Sequence, residues 1–361
     1  MPPPLNYTTK YPYQQEYSEI IDVRSPGEFA EDHLPDAINL PVMDNEQRAK
    51  VGTIYQQVSP FQARKIGAAI VSENIAQHLA SHFAQKDKDY SPLVYCWRGG
   101  QRSRSLALIL SEIGWHVTLL EGGYKTYRAY VRQQLETLPQ KFTYKIICGL
   151  TGTGKTQILR RMAQQGCQVL DLEKLANHRG SLLGQEWDTN NQAQEFSFSS
   201  FVPQPSQKLF ESSLLQELQK FNFQKVVWLE SESNKIGKIY LPSSLWKLMK
   251  QANCVEVKLP QNVRVEQLLE TYPHLTNNPD CLKEKLQNLK NLHSQKIIEE
   301  WFNLIDAGKY YTLVEELLTL HYDPSYHRSM SKSYYPRVEK SVSINDLSVE
   351  SIDIALREIV T

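Results

Sequence analysis

The feature that most constrains this chain is a short glycine-rich segment that follows an apolar strand pattern. Tyr144–Cys148 is rich in β-forming residues and runs directly into Gly-Leu-Thr-Gly-Thr-Gly-Lys-Thr at 149–156, after which a helical pattern begins. The spacing GxxxxGK followed by Thr is the pattern of a phosphate-binding loop, and a strand before it and a helix after it are the context that such a loop requires. The sequence therefore predicts an α/β unit built around this segment, here called the phosphate loop.

The residue types in the phosphate loop suit a diphosphate. Its glycines let successive backbone amides face phosphate oxygens, and the helix that follows adds its positive end. Lys155 supplies a positive charge, and Thr156 offers a hydroxyl ligand for magnesium. Glu230 ends an apolar strand and is the second magnesium candidate, with an ordinary surface carboxylate as the alternative. The residues expected to bind diphosphate are Gly149, Thr151, Gly152, Thr153, Gly154, Lys155, Thr156, His178 and Arg179, although His178 is equally well interpreted as a structural histidine.

Length and composition limit the classes to which the chain can belong. Its 361 residues predict two or three domains at roughly 150 residues each. Lys plus Arg and Asp plus Glu both number 40, so a uniformly basic nucleic-acid coat is excluded and any RNA site must be local. No apolar run approaches the roughly 18 residues that span a bilayer. Five scattered cysteines and an amino terminus without a signal-peptide pattern predict a cytoplasmic protein with no membrane segment.

The first 135 residues alternate between strand and helix patterns, which is typical of a parallel α/β domain. The pattern restarts around Pro139, so we place the domain boundary between residues 138 and 139. The expected strands are Ser18–Val23, Ala37–Leu40, Leu93–Cys96 and Val117–Leu120, and the expected helices are Phe61–Phe83, Gln101–Ile113 and Tyr124–Leu135.

The second domain, 139–361, is expected to be a phosphate-loop α/β domain with a carboxyl-terminal helical region from about 282 to 320. Residues 187–204 are rich in Asn, Gln, Ser and Phe without a clear period, which predicts a long functional loop. Residues after Tyr322 are polar and only weakly patterned. The other expected elements are the strands Gln168–Asp171, Lys225–Glu230 and Cys254–Lys258 and the helix Gln207–Phe221.

A second loop with chemical potential follows the strand Leu93–Cys96. Its sequence is Cys-Trp-Arg-Gly-Gly-Gln-Arg-Ser at 96–103, here called the cysteine loop, and a helical pattern comes next. A cysteine at the amino end of a helix and near arginines is favoured as a thiolate, so Cys96 is the candidate catalytic residue. The other cysteines are interpreted as core residues, and the dispersed histidines predict no transition-metal site. The predicted anion-binding residues of this loop are Trp97, Arg98, Gly99, Gly100, Gln101, Arg102 and Ser103.

The first domain resembles the rhodanese family. The resemblance is carried by IDVRSPxEF at 21–29, HLPxAINLP at 33–41, the cysteine loop and LEGG at 120–123. It implies a rhodanese-like parallel α/β fold and a persulfide carried on Cys96, with Asp22 and Arg24 in a bracing role. The spacing from Cys96 to Arg102 is C-x5-R, as in cysteine phosphatases, and a loop of that size can surround a tetrahedral anion.

The combination of a rhodanese-like domain and a phosphate-loop domain resembles the bacterial tRNA 2-selenouridine synthase family. Further matching segments are VGTIY at 51–55, DLExLANHRGS at 171–181, ESES at 230–233 and YDPxY at 322–326, while Gln101 stands where Met is expected. The resemblance implies action on 2-thiouridine at the tRNA wobble position. It also implies two co-substrates, geranyl diphosphate for geranylation and selenophosphate for exchange of the S-geranyl group for selenium.

These implied reactions assign tasks to the two loops. Alkylation turns a poor leaving sulfur into a thiol that can depart, and the phosphate loop can neutralise the departing diphosphate. Cys96 either carries selenium covalently or lies in a loop that holds selenophosphate. The ten-carbon chain needs an apolar pocket, and the hypothetical contributors are Trp187, Phe196, Phe198 and Phe201. Packing in the protein core is an equally plausible role for these residues.

One helical face is the candidate tRNA-binding surface. Lys125, Arg128 and Arg132 are spaced i, i+3 and i+7, with Tyr127 interleaved, so positive charge can meet phosphate while a ring stacks on a base. A solvated helix face is the alternative interpretation.

Two other functions fit parts of the pattern. One is a C-x5-R cysteine phosphatase or a sulfurtransferase fused to a small-molecule kinase, which predicts turnover of simple phosphoesters and ATP. The other is a nucleotide-dependent adaptor without catalysis, although an adaptor has no need for Cys96 or Lys155.

Overall fold

The structure, a computed structural model, describes residues 8–187 and 201–360. The chain divides into two compact units, 1–134 and 135–361. The boundary predicted between residues 138 and 139 falls inside the short 3-10 helix Leu138–Lys141. Among the described residues, no helix combines the length and the apolar character that crossing a bilayer would require.

The first unit is built on a five-stranded parallel sheet in the order β1-β5-β4-β2-β3. Parallel strands need crossover connections, and helices supply them here, as the alternating sequence pattern predicts. The strands are β1 (Thr8–Thr9), β2 (Glu19–Asp22), β3 (Ala37–Asn39), β4 (Pro92–Tyr95) and β5 (Thr118–Leu120). The helices are α1 (Pro26–Glu31), α2 (Asn45–Gln57), α3 (Pro60–Ala80), α4 (Gln101–Ile113) and α5 (Tyr124–Thr137).

A buried ion pair braces the carboxyl end of β2. Asp22 and Arg24 are 0% and 1% exposed, and the Arg24 guanidinium donates to both carboxylate oxygens of Asp22 at 2.6 to 3.1 Å. Arg24 also donates to the Asp32 carbonyl at 2.6 Å and stacks on the Tyr124 ring, 4.0 Å from its centroid. The pair is saturated with partners inside the unit, which fits the bracing role expected for it.

Replacing Asp22 by asparagine is expected to lower the stability of the first unit by about 3–5 kcal/mol, because it leaves a buried guanidinium without its counter-charge. Hydrogen exchange of the β2 and β4 amides in the full chain measures this, since it reports on one unit separately. Asp89→Asn, at an exposed position of the same unit, is the matched control. Equal protection in both variants would contradict the bracing role.

The second unit contains a five-stranded parallel sheet in the order β12-β11-β6-β8-β7. The central strand β6 leads into the phosphate loop, so the loop lies at the carboxyl edge of the sheet. The strands of this unit are β6 (Tyr144–Cys148), β7 (Gln168–Val169), β8 (Val227–Glu230), β9 (Lys235–Ile236), β10 (Ile239–Tyr240), β11 (Asn253–Lys258) and β12 (Val338–Ser343), of which β9 and β10 form a separate hairpin.

Helices pack on this sheet and extend into a carboxyl-terminal helical layer. Helix α6 begins directly after the phosphate loop, and α16 packs against α6 and β12 in one apolar cluster. The helices are α6 (Lys155–Gln164), α7 (Leu172–Ala176), α8 (Gln207–Lys220), α9 (Ser243–Gln251), α10 (Gln261–Thr271), α11 (Pro273–Thr276), α12 (Pro279–Gln287), α13 (Gln295–Asp306), α14 (Tyr310–Leu317), α15 (Asp323–Ser333) and α16 (Val349–Val360). A π-helical turn, Leu318–Tyr322, joins α14 to α15.

The region after Tyr322 is more ordered than its sequence pattern indicates. It forms α15, the edge strand β12 and the amphipathic helix α16, whose buried residues are Ile352, Ala355, Leu356 and Ile359. Strand β12 reads Val-Glu-Lys-Ser-Val-Ser and buries only Val342, because an edge strand has one neighbour and a solvated face. Of the long loop predicted at 187–204, residues 188–200 lie outside the described residues.

Candidate functional site

The phosphate loop has the geometry that its sequence predicts. Gly154 precedes α6 with φ 76°, a left-handed conformation, and a Cβ there would collide with the side chain of Leu347. The Lys155 ammonium lies over the loop and donates to the carbonyls of Gly149 and Leu150 at 2.9 and 3.2 Å. The lysine is thus held at the concave side of the loop, where a phosphate group would compete for it.

Residues far along the chain brace this loop. Arg264, which is 3% exposed, donates to the Thr151 carbonyl at 2.8 Å and forms a bidentate pair with Asp323 at 2.6 and 3.0 Å. The Gly149 amide donates to the Tyr326 hydroxyl at 2.7 Å. Asp323 and Tyr326 belong to the YDPxY segment. Their contacts with Arg264 and Gly149 give this segment a role in bracing the phosphate loop. Arg264 lies in an ordinary helical pattern, and nothing in its local sequence signals the role.

Three carboxylates converge beside Thr156. The Thr156 hydroxyl lies 3.2 Å from Glu173 Oε2 and 3.3 Å from Glu230 Oε1. Oxygens of Glu173, Glu230 and Glu232 all lie within 4.8 Å of one another. Glu230 faces Ile147 in the parallel register of β8 and β6, so the strand pairing carries it to the loop. The sequence predicts Thr156 and Glu230 here, and the structure adds Glu173 and Glu232.

Burial and mutual repulsion perturb these carboxyl groups in the same direction. Burial raises the pKa of Glu173 well above its usual range, and the charges of Glu230 and Glu232 raise it further. Burial also raises the pKa of Glu230, and together with the Glu230 charge it raises the pKa of Glu232 to about 8. A divalent cation would relieve this repulsion, and carboxylate and hydroxyl oxygens are the ligands that magnesium prefers. The residues present therefore fit a magnesium ion.

The phosphate loop opens into a polar cavity of about 590 Å³. Gly152, Gly154, Lys155 and the three carboxylates line it. Arg179 lines it as well, although its guanidinium is bound to Glu186 at 2.7 Å and packs over the Trp187 ring at 4.6 Å.

The structure does not support the phosphate contact predicted for His178. The residue is 9% exposed, and it is absent from the residues that line the cavity. Burial lowers the pKa of its imidazole, which favours the neutral form. The backbone of His178 forms a bridge with Gln185, while its buried Nδ1 has no hydrogen-bond partner among the described residues, so the structural role and the phosphate contact both stay predictions.

A second pocket, of about 60 Å³, adjoins the polar cavity and is apolar. Thr151, Ser181, Leu268, Tyr272 and Tyr322 line both spaces, so the two are contiguous. The deeper wall of the apolar pocket consists mainly of aliphatic side chains from α10 to α14 and the π-helical turn: Leu269, Leu275, Leu282, Leu313, Val314, Leu317 and Leu318.

Two of the four aromatic residues expected to form an apolar pocket, Trp187 and Phe201, lie elsewhere. Trp187 stacks on His274 with ring centroids 3.6 Å apart, and Phe201 is 8% exposed in the core of the helical layer. Neither lines the apolar pocket, so for both the core-packing alternative holds. Phe196 and Phe198 lie outside the described residues.

The cysteine loop of the first unit surrounds its sulfur with donors. Cys96 is 3% exposed and follows β4, directly before the amino end of α4. The Gly100 amide lies 3.2 Å from Cys96 Sγ, and the Ser103 hydroxyl lies 3.3 Å from it. Gly99 adopts φ 65°, which lets the backbone turn around the sulfur. Both groups can donate a hydrogen bond to a sulfur or selenium atom at this position.

The two arginines of the cysteine loop have different roles. Arg102 forms a bidentate pair with Glu28 at 2.7 and 3.2 Å, and Arg48 binds the same carboxylate at 2.9 Å. Although burial opposes it, pairing with Arg102 keeps the pKa of Glu28 below its usual value. The structure therefore places Arg102 in an ion pair, and Arg98 is exposed at the loop. A direct contact of either arginine with an anion stays a prediction.

The candidate tRNA-binding face of α5 is only partly as predicted. Lys125 and Arg132 are exposed, and the Lys125 amide donates to the Trp97 carbonyl at 3.0 Å, which places this end of α5 beside the cysteine loop. Arg128 is half-buried. Tyr127 is 1% exposed and packs edge-on against Tyr11, with centroids 5.0 Å apart. The expectation that Tyr127 stacks on a base is therefore wrong.

Comparisons with known proteins agree with this architecture. Residues 10–130 match the rhodanese-like domain, and residues 142–285 match the tRNA 2-selenouridine synthase AAA domain. The tRNA 2-selenouridine synthase of Shewanella denitrificans is 32% identical over 344 residues, which cover 87% of this chain and 88% of that protein. The tRNA 2-selenouridine synthase of Bdellovibrio bacteriovorus is 29% identical over 360 residues, which cover 89% and 91%.

Among solved structures, a rhodanese-related protein from Thermoplasma volcanium is 19% identical and covers 31% of this chain and 77% of that one, with a TM-score of 0.20. The similarity to the synthases, by contrast, extends through both units and nearly the full length of each relative. The chain belongs to the tRNA 2-selenouridine synthase family.

Proposed function

We propose that this protein converts 2-thiouridine at the wobble position of tRNA into 2-selenouridine in two steps. The first step transfers a geranyl group from geranyl diphosphate to the thiocarbonyl sulfur, with diphosphate as the leaving group. In the second step selenium of selenophosphate attacks C2 and the geranyl thiol departs, after which water cleaves the phosphorus–selenium bond and phosphate is released. We place both steps in the cytoplasm, where tRNA and free thiols coexist.

The observation that carries this proposal is the continuity between the phosphate-loop cavity and the apolar pocket. A ligand that fills both spaces has a diphosphate head and a hydrocarbon chain, which describes a prenyl diphosphate. A nucleoside triphosphate would place a polar base and ribose against the aliphatic wall, which would leave their hydrogen-bonding groups without partners. The site therefore favours geranyl diphosphate over ATP.

The residues of the phosphate loop act on the leaving group. Lys155 and the loop amides bind the diphosphate and stabilise the negative charge that develops on it as the carbon–oxygen bond breaks. Thr156 and the carboxylates of Glu173, Glu230 and Glu232 would hold magnesium, which supplies further positive charge to the diphosphate when it is bound. The apolar pocket would fix the distal end of the chain and so hold the reacting carbon beside the phosphate loop.

The cysteine loop acts in the second step. Cys96 lies among donors at the amino end of α4, an arrangement that stabilises a sulfur or selenium anion and also suits a tetrahedral oxyanion. Either role, selenium carrier or part of a selenophosphate cradle, assigns Cys96 to selenation and not to geranyl transfer. Arg98 is exposed for the anion, whereas Arg102 would have to share its guanidinium with Glu28.

Mass spectrometry of wobble nucleosides tests the proposal. Purified protein is incubated with 2-thiouridine-containing tRNA, geranyl diphosphate, selenophosphate and magnesium, and each component is omitted in turn. We expect geranylated 2-thiouridine when selenophosphate is omitted and 2-selenouridine in the complete mixture. Unchanged 2-thiouridine in every mixture, together with turnover of para-nitrophenyl phosphate, would instead identify a cysteine phosphatase.

A further inference from the structure

An exposed aromatic and apolar tip ends the helical hairpin formed by α2 and α3. Tyr55, Val58 and Phe61 are 54%, 65% and 67% exposed, and they surround the turn between the two helices. These three residues are here called the hairpin tip. Large apolar side chains clustered on a surface indicate a binding partner, because isolated exposed residues are ordinary but contiguous ones are not.

The hairpin is held rigidly at its base, away from the tip. Asn74 on α3 donates to the Val42 carbonyl at 3.1 Å and to the Gln47 side chain on α2 at 2.8 Å. A Cβ at Gly67 would lie 3.4 Å from the Val51 side chain, so the two helices pack closely there. None of the residues of α2, a helix that the structure describes throughout, is buried. Helix α3 buries Ala63, Gly67, Val71 and Ile75 and anchors the hairpin on its unit, whereas the residues of the tip are exposed.

Near the tip the charge on the hairpin has one sign. Residues 47–72 contain no Asp or Glu, although they contain two lysines and two arginines. Arg48 is paired with Glu28, whereas Lys50, Arg64 and Lys65 are exposed. Arg64 and Lys65 follow Phe61 by three and four residues on α3, so they lie on the same side of the helix as that ring. Exposed rings beside lysine and arginine are the combination that binds unpaired nucleotides by stacking and phosphate contacts.

The position of the hairpin suits an RNA that also reaches the cysteine loop. Glu28 binds both Arg48 on α2 and Arg102 of the cysteine loop, so the first turn of α2 lies beside that loop. Tyr55 follows Arg48 by two helical turns, roughly 10 Å along the axis at about 1.5 Å per residue. That length corresponds to about three stacked nucleotides at roughly 3.4 Å each.

We propose that the α2–α3 hairpin binds unpaired nucleotides of the tRNA anticodon loop, with Tyr55 and Phe61 stacking on bases and with Arg64 and Lys65 facing phosphates. The identification of the RNA as tRNA rests on the proposed function. The assignment of this surface to RNA binding rests on the exposure of its rings and on its charge. The hairpin would hold the loop while a neighbouring wobble nucleotide reaches the chemistry.

Fluorescence anisotropy tests this inference. The full chain is titrated into a fluorescent anticodon stem-loop that carries 2-thiouridine at the wobble position. Phe61→Ala and Tyr55→Ala are each expected to weaken binding about tenfold, since a stacked base is lost. Phe61→Tyr, which keeps the ring, should bind like the unchanged protein. Arg64→Ala combined with Lys65→Ala should lower the slope of log affinity against log salt by roughly 0.7 per charge. Ile113→Ala and Lys88→Ala, exposed positions of the same unit, are matched controls.

Each outcome decides the inference. Weaker binding by the tip variants with unchanged controls supports it. Unchanged binding overturns it, as does a change in oligomeric state with unchanged RNA affinity, which would identify the tip as a protein interface. The titration contains neither geranyl diphosphate nor selenophosphate, so a failure of the proposed reactions leaves it intact. If the unchanged protein binds no stem-loop, both the inference and the tRNA substrate are overturned.

Discussion

Lys155→Ala is expected to abolish geranylation of 2-thiouridine, with a loss of about 100-fold or more, whereas Cys96→Ala should leave geranylation intact and block selenation. In the proposed reaction the lysine neutralises charge that develops on the departing diphosphate, and removal of one such preorganised group typically costs about 100- to 1,000-fold in rate. The cysteine lies in the other unit, among donors that suit an anionic sulfur or selenium. The two substitutions should therefore stop different steps.

Quantification of wobble nucleosides by mass spectrometry separates these steps. The Lys155→Ala protein should return unchanged 2-thiouridine, yet convert tRNA that already carries the S-geranyl group into its 2-selenouridine form. The Cys96→Ala protein should accumulate geranylated tRNA. Two matched controls are Lys174→Ala, which removes a second lysine of the polar cavity, and Cys167→Ala, which removes a partly exposed cysteine of the second unit. If both principal variants stop at the same step, the division of labour between the units is wrong.

The sequence predicts most of the fold because the two loops fix their own surroundings. A phosphate loop needs a strand before it and a helix after it, and the structure has β6 and α6 there. The cysteine loop likewise lies between β4 and α4. Some of the elements that the sequence pattern missed are short or lack a buried face, as with β1, which has two residues, and α2, in which no residue is buried. Periodicity reports burial, so it carries no signal for these two elements. Helix α16 is different, because it buries four residues and was missed all the same.

The site is less predictable from sequence because its parts come from distant segments. The phosphate-loop residues are adjacent in the chain, whereas Glu173, Glu232 and Arg264 reach the loop only through the fold. A carboxylate in a helix or after a strand has no local mark that separates a ligand from a surface charge. Only the strand pairing shows which carboxylate reaches the loop: the parallel register of β8 and β6 places Glu230 beside Ile147.

Burial explains the errors at individual side chains. Tyr127 belongs to a helical face whose charges are exposed, yet its ring points into a cluster with Tyr11 and Tyr124. A helix turns by 100° per residue, so Tyr127 lies on a different side of α5 from Arg132. The spacing of Arg102 from Cys96 does not predict its ion pair with Glu28, because Glu28 is remote in sequence.

The apolar pocket is expected to select the length of the prenyl chain. Its volume of about 60 Å³ is below the roughly 150 Å³ of a cavity that admits benzene, so it receives the narrow distal end of a chain whose remainder lies in the polar cavity. Val314 and Leu269 line the pocket and are only half-buried, so substitutions there should disturb the fold less than at its fully buried leucines.

Val314→Phe should fill the distal end and lower kcat/KM for geranyl diphosphate about tenfold or more relative to the five-carbon dimethylallyl diphosphate. Leu269→Ala should enlarge the pocket and favour the fifteen-carbon farnesyl diphosphate over geranyl diphosphate by a similar factor. The reason is steric, since even one methylene in a hydrophobic pocket changes discrimination by about 10- to 200-fold. Competition among the three diphosphates for one 2-thiouridine tRNA, with products resolved by mass, gives the ratios directly.

Val349→Phe and Leu292→Ala, exposed positions elsewhere in the second unit, are controls matched in residue change. They should leave the product ratio as it is. A loss of all products with every diphosphate would report damage to the phosphate loop or the fold, which thermal unfolding of the variant distinguishes. Identical ratios in the pocket variants and their controls would mean that the chain lies outside this pocket. A shift in opposite directions for the two variants would establish that the aliphatic wall beside the phosphate loop reads chain length, because no effect on diphosphate binding alone could invert the preference.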